Sequence, residues 1–220
     1  MSPIDHIAND WAGQTEAKLL DAALVHAPKL GWSQRMLAAA TVDVGLSLAE
    51  AELLLPHGPR DLAALLSRRH DAAGIAILSA VDPTLMKVRE RIRRGVTARC
   101  DAAFADQPAL RRWMGFLALP PNLPLAVRLN WAAADQIWRW TGDSATDENH
   151  YSKRVLLSEI LTSTMVLRLS LGANAAAAHL DRRIDAVMAF EKWKGAIKPA
   201  TFGVRLAHGL GRLRYGRASP

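Results

Sequence analysis

The chain has 220 residues, half of them hydrophobic, with a single cysteine and a formal net charge of +7. That length holds one ordinary domain or two small ones around a packed core, and that composition excludes wholesale disorder. One cysteine excludes an internal disulfide, which suits a reducing compartment, and no apolar run approaches the roughly 18 residues a membrane-spanning helix needs.

The charge is unevenly placed. Lys192, Lys194, Lys198, Arg205, Arg212, Arg214 and Arg217 supply seven positive charges, and no acidic residue follows Lys192. The rest of the chain balances 21 basic against 21 acidic residues, so the tail carries all of the net charge. A basic tail on a neutral body points to an anionic surface, either membrane or nucleic acid. The N-terminus holds Asp5 and Asp10 and no basic stretch before an apolar one, so no secretory signal is expected.

Nothing reads as a strand, because the apolar spacing is helical almost throughout. Residues 1–14 are polar and read as a flexible start. Thr15 to Leu30 forms a first helix, broken at Gly31. A short second helix runs from Ser33 to about Ala40, and Gly45 marks the next turn. Ser47-Leu-Ala-Glu50 is a capping box that opens a third helix, closing near Leu55. Pro59 starts a fourth, reaching about Val81. Asp82-Pro83 repeats the cap-and-proline signal and opens a fifth to Ala105. A sixth runs from Asp106 to Pro120, a seventh from Leu125 to Thr141 and an eighth from Asp147 to Ser170. Asn174 reads as the cap of a ninth, from Ala175 to Lys194, with a linker over 195–200.

The seventh and eighth helices hold the least generic stretch. Trp131, Asp135 and Trp138 recur at i, i+4 and i+7 and share one helix face. Gly142 and Asp143 stop that helix, and Asp143, Ser144, Thr146 and Asp147 are all good caps for the next. The eighth helix opens with Asn149, His150, Tyr151, Lys153 and Arg154. The corner gathers indoles, a tyrosine and paired charges, the residue types that interfaces concentrate in their hot spots. Plain core packing is the bland alternative for each aromatic.

The first three helices resemble the DNA-binding head of the TetR-type regulators. The third, which would be the recognition helix, carries Glu50 and Glu52, and no Lys or Arg stands between Arg35 and Arg60. Phosphate neutralisation supplies most of the affinity for DNA, so this head is expected to keep the helix-turn-helix shape without binding nucleic acid. The expected fold is all-α: a TetR-like bundle of about nine helices, with a head over 15–57, a bundle over 58–194 and a separate amphipathic helix over 201–220.

On that last helix, Phe202, Leu206, Leu210 and Leu213 fall within about 80° of one another on a wheel, with Arg205 and Arg212 opposite. Gly203, Gly209 and Gly211 weaken its intrinsic helicity, which suits a segment that orders when it lies on a membrane. Docking on its own bundle is the alternative; nucleic acid fits poorly, because no aromatics alternate with the arginines.

Catalytic machinery is missing. No Glu-x-x-His, glycine-rich phosphate loop, G-x-S-x-G or Cys/His zinc spacing occurs, and the one Asp-x-x-His, Asp147 to His150, has nothing to pair with. No metal, cofactor or catalytic residue is therefore expected. Arg89, Arg91, Arg93 and Arg94 read as a solvated face, and Asp181, Arg182, Arg183 and Asp185 as ion-pairing within the ninth helix or with the eighth.

The run Trp131-x3-Asp135-x2-Trp138-x3-Gly142-Asp143-x2-Thr146-Asp147-x-Asn149-x-Tyr151-x-Lys153-Arg154 resembles the signature of the ubiquinone-biosynthesis accessory family called COQ-nine. Leu180-Asp-Arg-Arg183-Ile184 is similar too, as is the layout of head, bundle and last helix. The resemblance implies a non-enzymatic protein that holds an isoprenoid or quinone lipid and docks on an anionic membrane through its last helix. It further implies help to the demethoxyubiquinone hydroxylase. Ile137, Trp138, His150 and Tyr151 would meet the hydroxylase, and Phe202, Leu206, Leu210 and Leu213 the membrane. This chain departs from the family at His150, where Trp is usual, and at Ala145, where Ser is. The absence of a transit peptide leads to the expectation of a bacterial protein, cytoplasmic and peripheral on the inner membrane. A TetR-type regulator sensing an apolar molecule and a plain helical scaffold are the rival readings. A homodimer through the eighth and ninth helices is left open.

Overall fold

The computed structural model describes the backbone of residues 3–142 and 148–196 and the side chains of residues 11–142 and 151–189. Among the described residues there are nine α-helices, two short 3-10 turns and no strand. The helices are α1 (Pro3–Leu30), α2 (Gln34–Val44), α3 (Leu48–Leu54), α4 (Pro59–Leu78), α5 (Val88–Phe104), α6 (Gln107–Leu117), α7 (Leu123–Trp140), α8 (Glu148–Leu171) and α9 (Ala173–Ala196). The expected all-α, TetR-like bundle is what forms: α1–α3 make the head and α4–α9 the body.

Local chemistry sets most boundaries. Ser33 caps α2 by accepting from the Met36 amide, and the Ser47–Glu50 capping box opens α3 with both of its hydrogen bonds in place. α7 ends as expected at Gly142, whose φ of +84° is open to glycine at little cost. Three expectations need correction. Residues 3–14 extend α1 by three turns instead of remaining an irregular start. Asp82-Pro83 opens only a 3-10 turn, because Met86 is extended and α5 begins at Val88. Asn174 does not cap α9: the chain breaks at Gly172 alone (φ +87°), and Ala176 already bonds back to its carbonyl. The last helix, residues 201–220, lies outside the described residues.

One continuous hydrophobic core runs through head and body, from Leu19, Ala23 and Met36 to Leu110, Ile137, Leu157 and Leu180. Two indoles lock the layers by donating to carbonyls on α4: Trp32 to Pro59 at 2.8 Å and Trp113 to Ala63 at 3.0 Å. The α5 arginines are solvated, as expected, and are also paired. Arg89 pairs with Asp185 at 2.8 Å and Arg93 with Asp181, both on α9. Arg91 donates to the carbonyls of Met86 and Thr141, and Arg94 pairs with Glu90 on its own helix. Of the expected α9 pairs, Arg183 does reach α8, at Glu159. Asp181 and Asp185 turn instead to α5.

Candidate functional site

The corner between α7 and α8 assembles from the spacing that marks it. Trp131, Asp135 and Trp138 recur every turn on α7, and each meets the residue of α8 opposite. Trp131 packs on Tyr151 with ring centroids 6.1 Å apart. Asp135 Oδ1 accepts from Arg154 Nε at 2.6 Å, while its Oδ2 accepts from Arg139 Nε at 2.7 Å. The Trp138 indole donates to the Lys153 carbonyl at 3.0 Å, and the Lys153 ammonium sits 5.4 Å from the indole centroid, within cation–π reach. Burial disfavours the Asp135 anion, but hydrogen bonds from Arg154 and Arg139 outweigh it and hold the carboxyl below its ordinary value.

Of the four residues singled out as a contact patch, the three whose side chains are described separate. Tyr151 is 65% exposed and Trp138 half-buried. Ile137 is 3% exposed and belongs to the core, where its Cγ2 faces Gly95 on α5, so it supports the corner from beneath instead of presenting a surface. The side chain of His150 lies outside the described residues, as do those of Asp143, Thr146, Asp147 and Asn149. Phe202, Arg205, Leu206, Leu210, Arg212 and Leu213 lie outside them too.

Beneath the corner is a cavity of about 250 Å³. Trp138 and Lys153 form its outer wall, Leu157 and Ile160 on α8 its floor, and Ile92 on α5 with Met188 on α9 the far side. A largely apolar chamber walled by the Trp138 indole and Lys153 of the corner can hold a hydrophobic molecule next to a surface another protein can read. Sequence reasoning missed the α5 and α9 walls. Their only signal, apolar residues at helical spacing such as Val88 and Ile92, is the same as that of ordinary core.

A second polar cluster also went unread. On α4, His70 and Asp71 are both buried. Asp71 Oδ1 accepts from Arg99 Nε at 2.5 Å, and His70 Nε2 meets Asp106 Oδ2 at 2.9 Å. Burial and the neighbouring Arg99 push His70 down to about 4 against the pull of Asp106, so its ring is neutral at neutral pH. Burial raises the Asp71 carboxyl against the stabilising effect of Arg99. Among the described residues no three His, Cys, Asp or Glu side chains are gathered closely enough to hold a metal, and no helix is long and apolar enough to cross a membrane.

Fold and corner together define the class: a TetR-like helical bundle whose distinguishing surface is a charged aromatic corner on α7 and α8. Residues 123–191, spanning α7, α8 and most of α9, match the COQ9 family model. Over this stretch the chain is similar to the COQ9 family. It is 26% identical over 170 residues to ubiquinone biosynthesis protein COQ9-B, mitochondrial, of Xenopus laevis, covering 71% of this chain and 55% of that protein. With the human protein, ubiquinone biosynthesis protein COQ9, mitochondrial, it shares 26% over 167 residues, covering 71% and 51%. With the probable ubiquinone biosynthesis protein coq9, mitochondrial, of Dictyostelium discoideum it shares 22% over 216 residues, covering 91% and 68%. The chain spans about half the length of the animal relatives it matches. These relatives overturn one expectation. A bacterial protein on the cytoplasmic side of an inner membrane was inferred from a missing leader, yet the matching proteins are eukaryotic and named mitochondrial. Where a chain begins says nothing about such a leader.

Proposed function

We propose that this chain is a non-catalytic accessory protein of ubiquinone biosynthesis. It holds an isoprenoid or quinone lipid and offers it, at a membrane surface, to the demethoxyubiquinone hydroxylase. The observation that carries the reading is the shared wall: Trp138 and Lys153 belong both to the corner and to the apolar cavity under it. A lipid in that cavity would lie against the residues a partner touches first. In this reading Tyr151, Trp138 and His150 form the partner contact and Ile137 supports it. Phe202, Leu206, Leu210 and Leu213 contact lipid, with Arg205 and Arg212 facing anionic headgroups.

A DNA-binding role is disfavoured by the outer face of α3, which presents Leu48, Glu50, Glu52 and Leu53 and no cation. Carboxylates there repel phosphates.

The test is extraction of the natively purified protein and mass spectrometry of what accompanies it. An isoprenoid lipid is expected, reduced in Met188→Trp, which fills the cavity, and Tyr151→Lys should lose hydroxylase pull-down while retaining the lipid. No lipid in the parent protein would sink the reading. Unchanged pull-down by Tyr151→Lys would remove the corner from it, and equal flotation on anionic vesicles by a chain ending at Pro199 would remove the tail.

A further inference from the structure

A second cavity, of about 300 Å³, lies among α4, α6, α7 and α8 with one wall from α5, and it shares no lining residue with the first. Trp113, Leu117, Leu129 and Met165 make it largely apolar, and the exposed Ala118 and Leu123 border it, so it opens at the turn between α6 and α7. Its volume suits a ring with a short substituent.

Four polar side chains interrupt the apolar wall, and they divide into two kinds. The Asn130 amide donates to Thr162 Oγ1 and to the Ser158 carbonyl, so that pair is internally satisfied. Ser67 and Arg99 are not. They are only 2% and 6% exposed. The Ser67 hydroxyl makes no hydrogen bond to a described residue; the Ala63 carbonyl one turn back, its usual acceptor in a helix, already takes the Trp113 indole. Of the Arg99 nitrogens, only Nε is bonded, to Asp71, and both Nη groups are left over among the described residues. Neither residue contributes to the unpaired atoms sealed away from solvent, such as His70 Nδ1 and Thr164 Oγ1. Both residues line the cavity, where a bound molecule can supply the acceptors they lack.

The surrounding charge decides what acceptor fits. Arg99 is already neutralised by Asp71, and neighbouring Asp106 is a second carboxylate, held on a His70 ring that is neutral. Arg168 is paired with Asp101. An incoming anion would therefore lose its hydration for a guanidinium whose charge is spent, and would add to the carboxylates nearby. A neutral carbonyl oxygen has no such penalty and can accept from two donors at once.

We propose that this second cavity binds a small uncharged molecule with an apolar ring and a carbonyl oxygen, the oxygen accepting from the Ser67 hydroxyl and an Arg99 Nη. The site is independent of the lipid-presenting cavity, and either assignment can fail alone.

The test uses three probes on the whole protein by titration calorimetry: mesityl methyl ketone, isopropylmesitylene and mesitoate. They share one ring and differ in a substituent of equal size that is a ketone, a hydrocarbon or an anion. The ketone should bind about ten-fold tighter than either of the others, since a site built to donate rejects a ligand that cannot accept. Ser67→Ala, which removes one oxygen and should fold, should weaken the ketone about five-fold and leave the hydrocarbon unchanged. Ala126→Trp, which narrows this cavity, should abolish ketone binding, and Met188→Trp, which fills the other, should not. Equal affinity for ketone and hydrocarbon, tightest binding of mesitoate, or an unmoved Ser67→Ala would each overturn the proposal. So would loss of ketone binding in Met188→Trp.

Discussion

The carboxylate of Asp135 on α7 accepts a 2.6 Å hydrogen bond from Arg154 on α8, whose side chain is 2% exposed. A guanidinium so deeply placed draws on Asp135, since removing one member of a buried pair withdraws compensation from the other charge. Asp135→Ala is expected to destabilise the protein by about 3 kcal/mol. Arg139, on the same carboxylate, is exposed, and Arg139→Ala should change stability by less than about 1 kcal/mol. Urea midpoints of the two variants check this, and equal effects would contradict it. The pH dependence follows in sign. A carboxyl held below its ordinary value contributes stability that is present above the ordinary carboxylate range and lost as pH falls through its folded value.

The approach of α5 to α7 rests on a missing side chain. A Cβ at Gly95 would lie 2.5 Å from Cγ2 of Ile137, an atom attached directly to a β-branched carbon and unable to swing aside. Gly95→Ala is therefore expected to destabilise by about 1–3 kcal/mol in spite of alanine's better helix propensity. Ile137→Ala removes that methyl, so in the double variant the two penalties should sum to less than their separate values. Strict additivity in thermal or urea unfolding would mean the helices simply move apart.

How far the chain could be read depended on which signals were local. Helix number, the Ser47–Glu50 capping box and the α7 stop at Gly142 were legible because each rests on a few neighbouring residues. The pairing of Trp131, Asp135 and Trp138 with α8 was nearly so, since periodicity put them on one face. Ile137 entered the contact patch through the family resemblance alone, and a helix rotates by about 100° per residue, which turns it into the core beside the half-buried Trp138. The destination of Arg89 and Arg93 could not be read, because it depends on α9 lying beside α5, some 90 residues away in sequence. Ser67 and Arg99 left only a faint mark, since Ser67 stands one turn from His70 and Asp71 on α4 and Arg99 is one arginine among several on α5.

His70 gives a second pH response. Its Nε2 faces Asp106, while its Nδ1 is buried without a partner, so protonation would create a donor with nothing to accept it. The folded value of about 4 lies below the ordinary 6.5, and so between these limits the unfolded chain binds more protons than the folded one. Stability is fully present above about pH 6.5 and should fall steadily as pH drops towards 4. Replacing the imidazole by His70→Gln should flatten that slope even if it lowers stability overall. Urea midpoints across the range check it, and an identical slope in the variant would assign the effect elsewhere.

Cys100 on α5 lies beside Arg99 and is almost fully buried, which pushes its thiol up to about 12 in spite of the nearby guanidinium. Only the thiolate attacks a disulfide reagent, and a free thiol ionises near 8.5. At pH 9 the unfolded chain should therefore be labelled rapidly and the folded protein only when α4 and α5 separate. That separation can be biased. A Cβ at Gly74 on α4 would meet the Arg99 backbone at 3.2 Å, so Gly74→Ala should loosen the contact and raise the labelling rate several-fold without altering the rate in denaturant. Labelling of the native parent protein at the denatured rate would show that burial does not protect the thiol. An unchanged rate in Gly74→Ala would show that it is exposed by some motion other than the parting of these two helices.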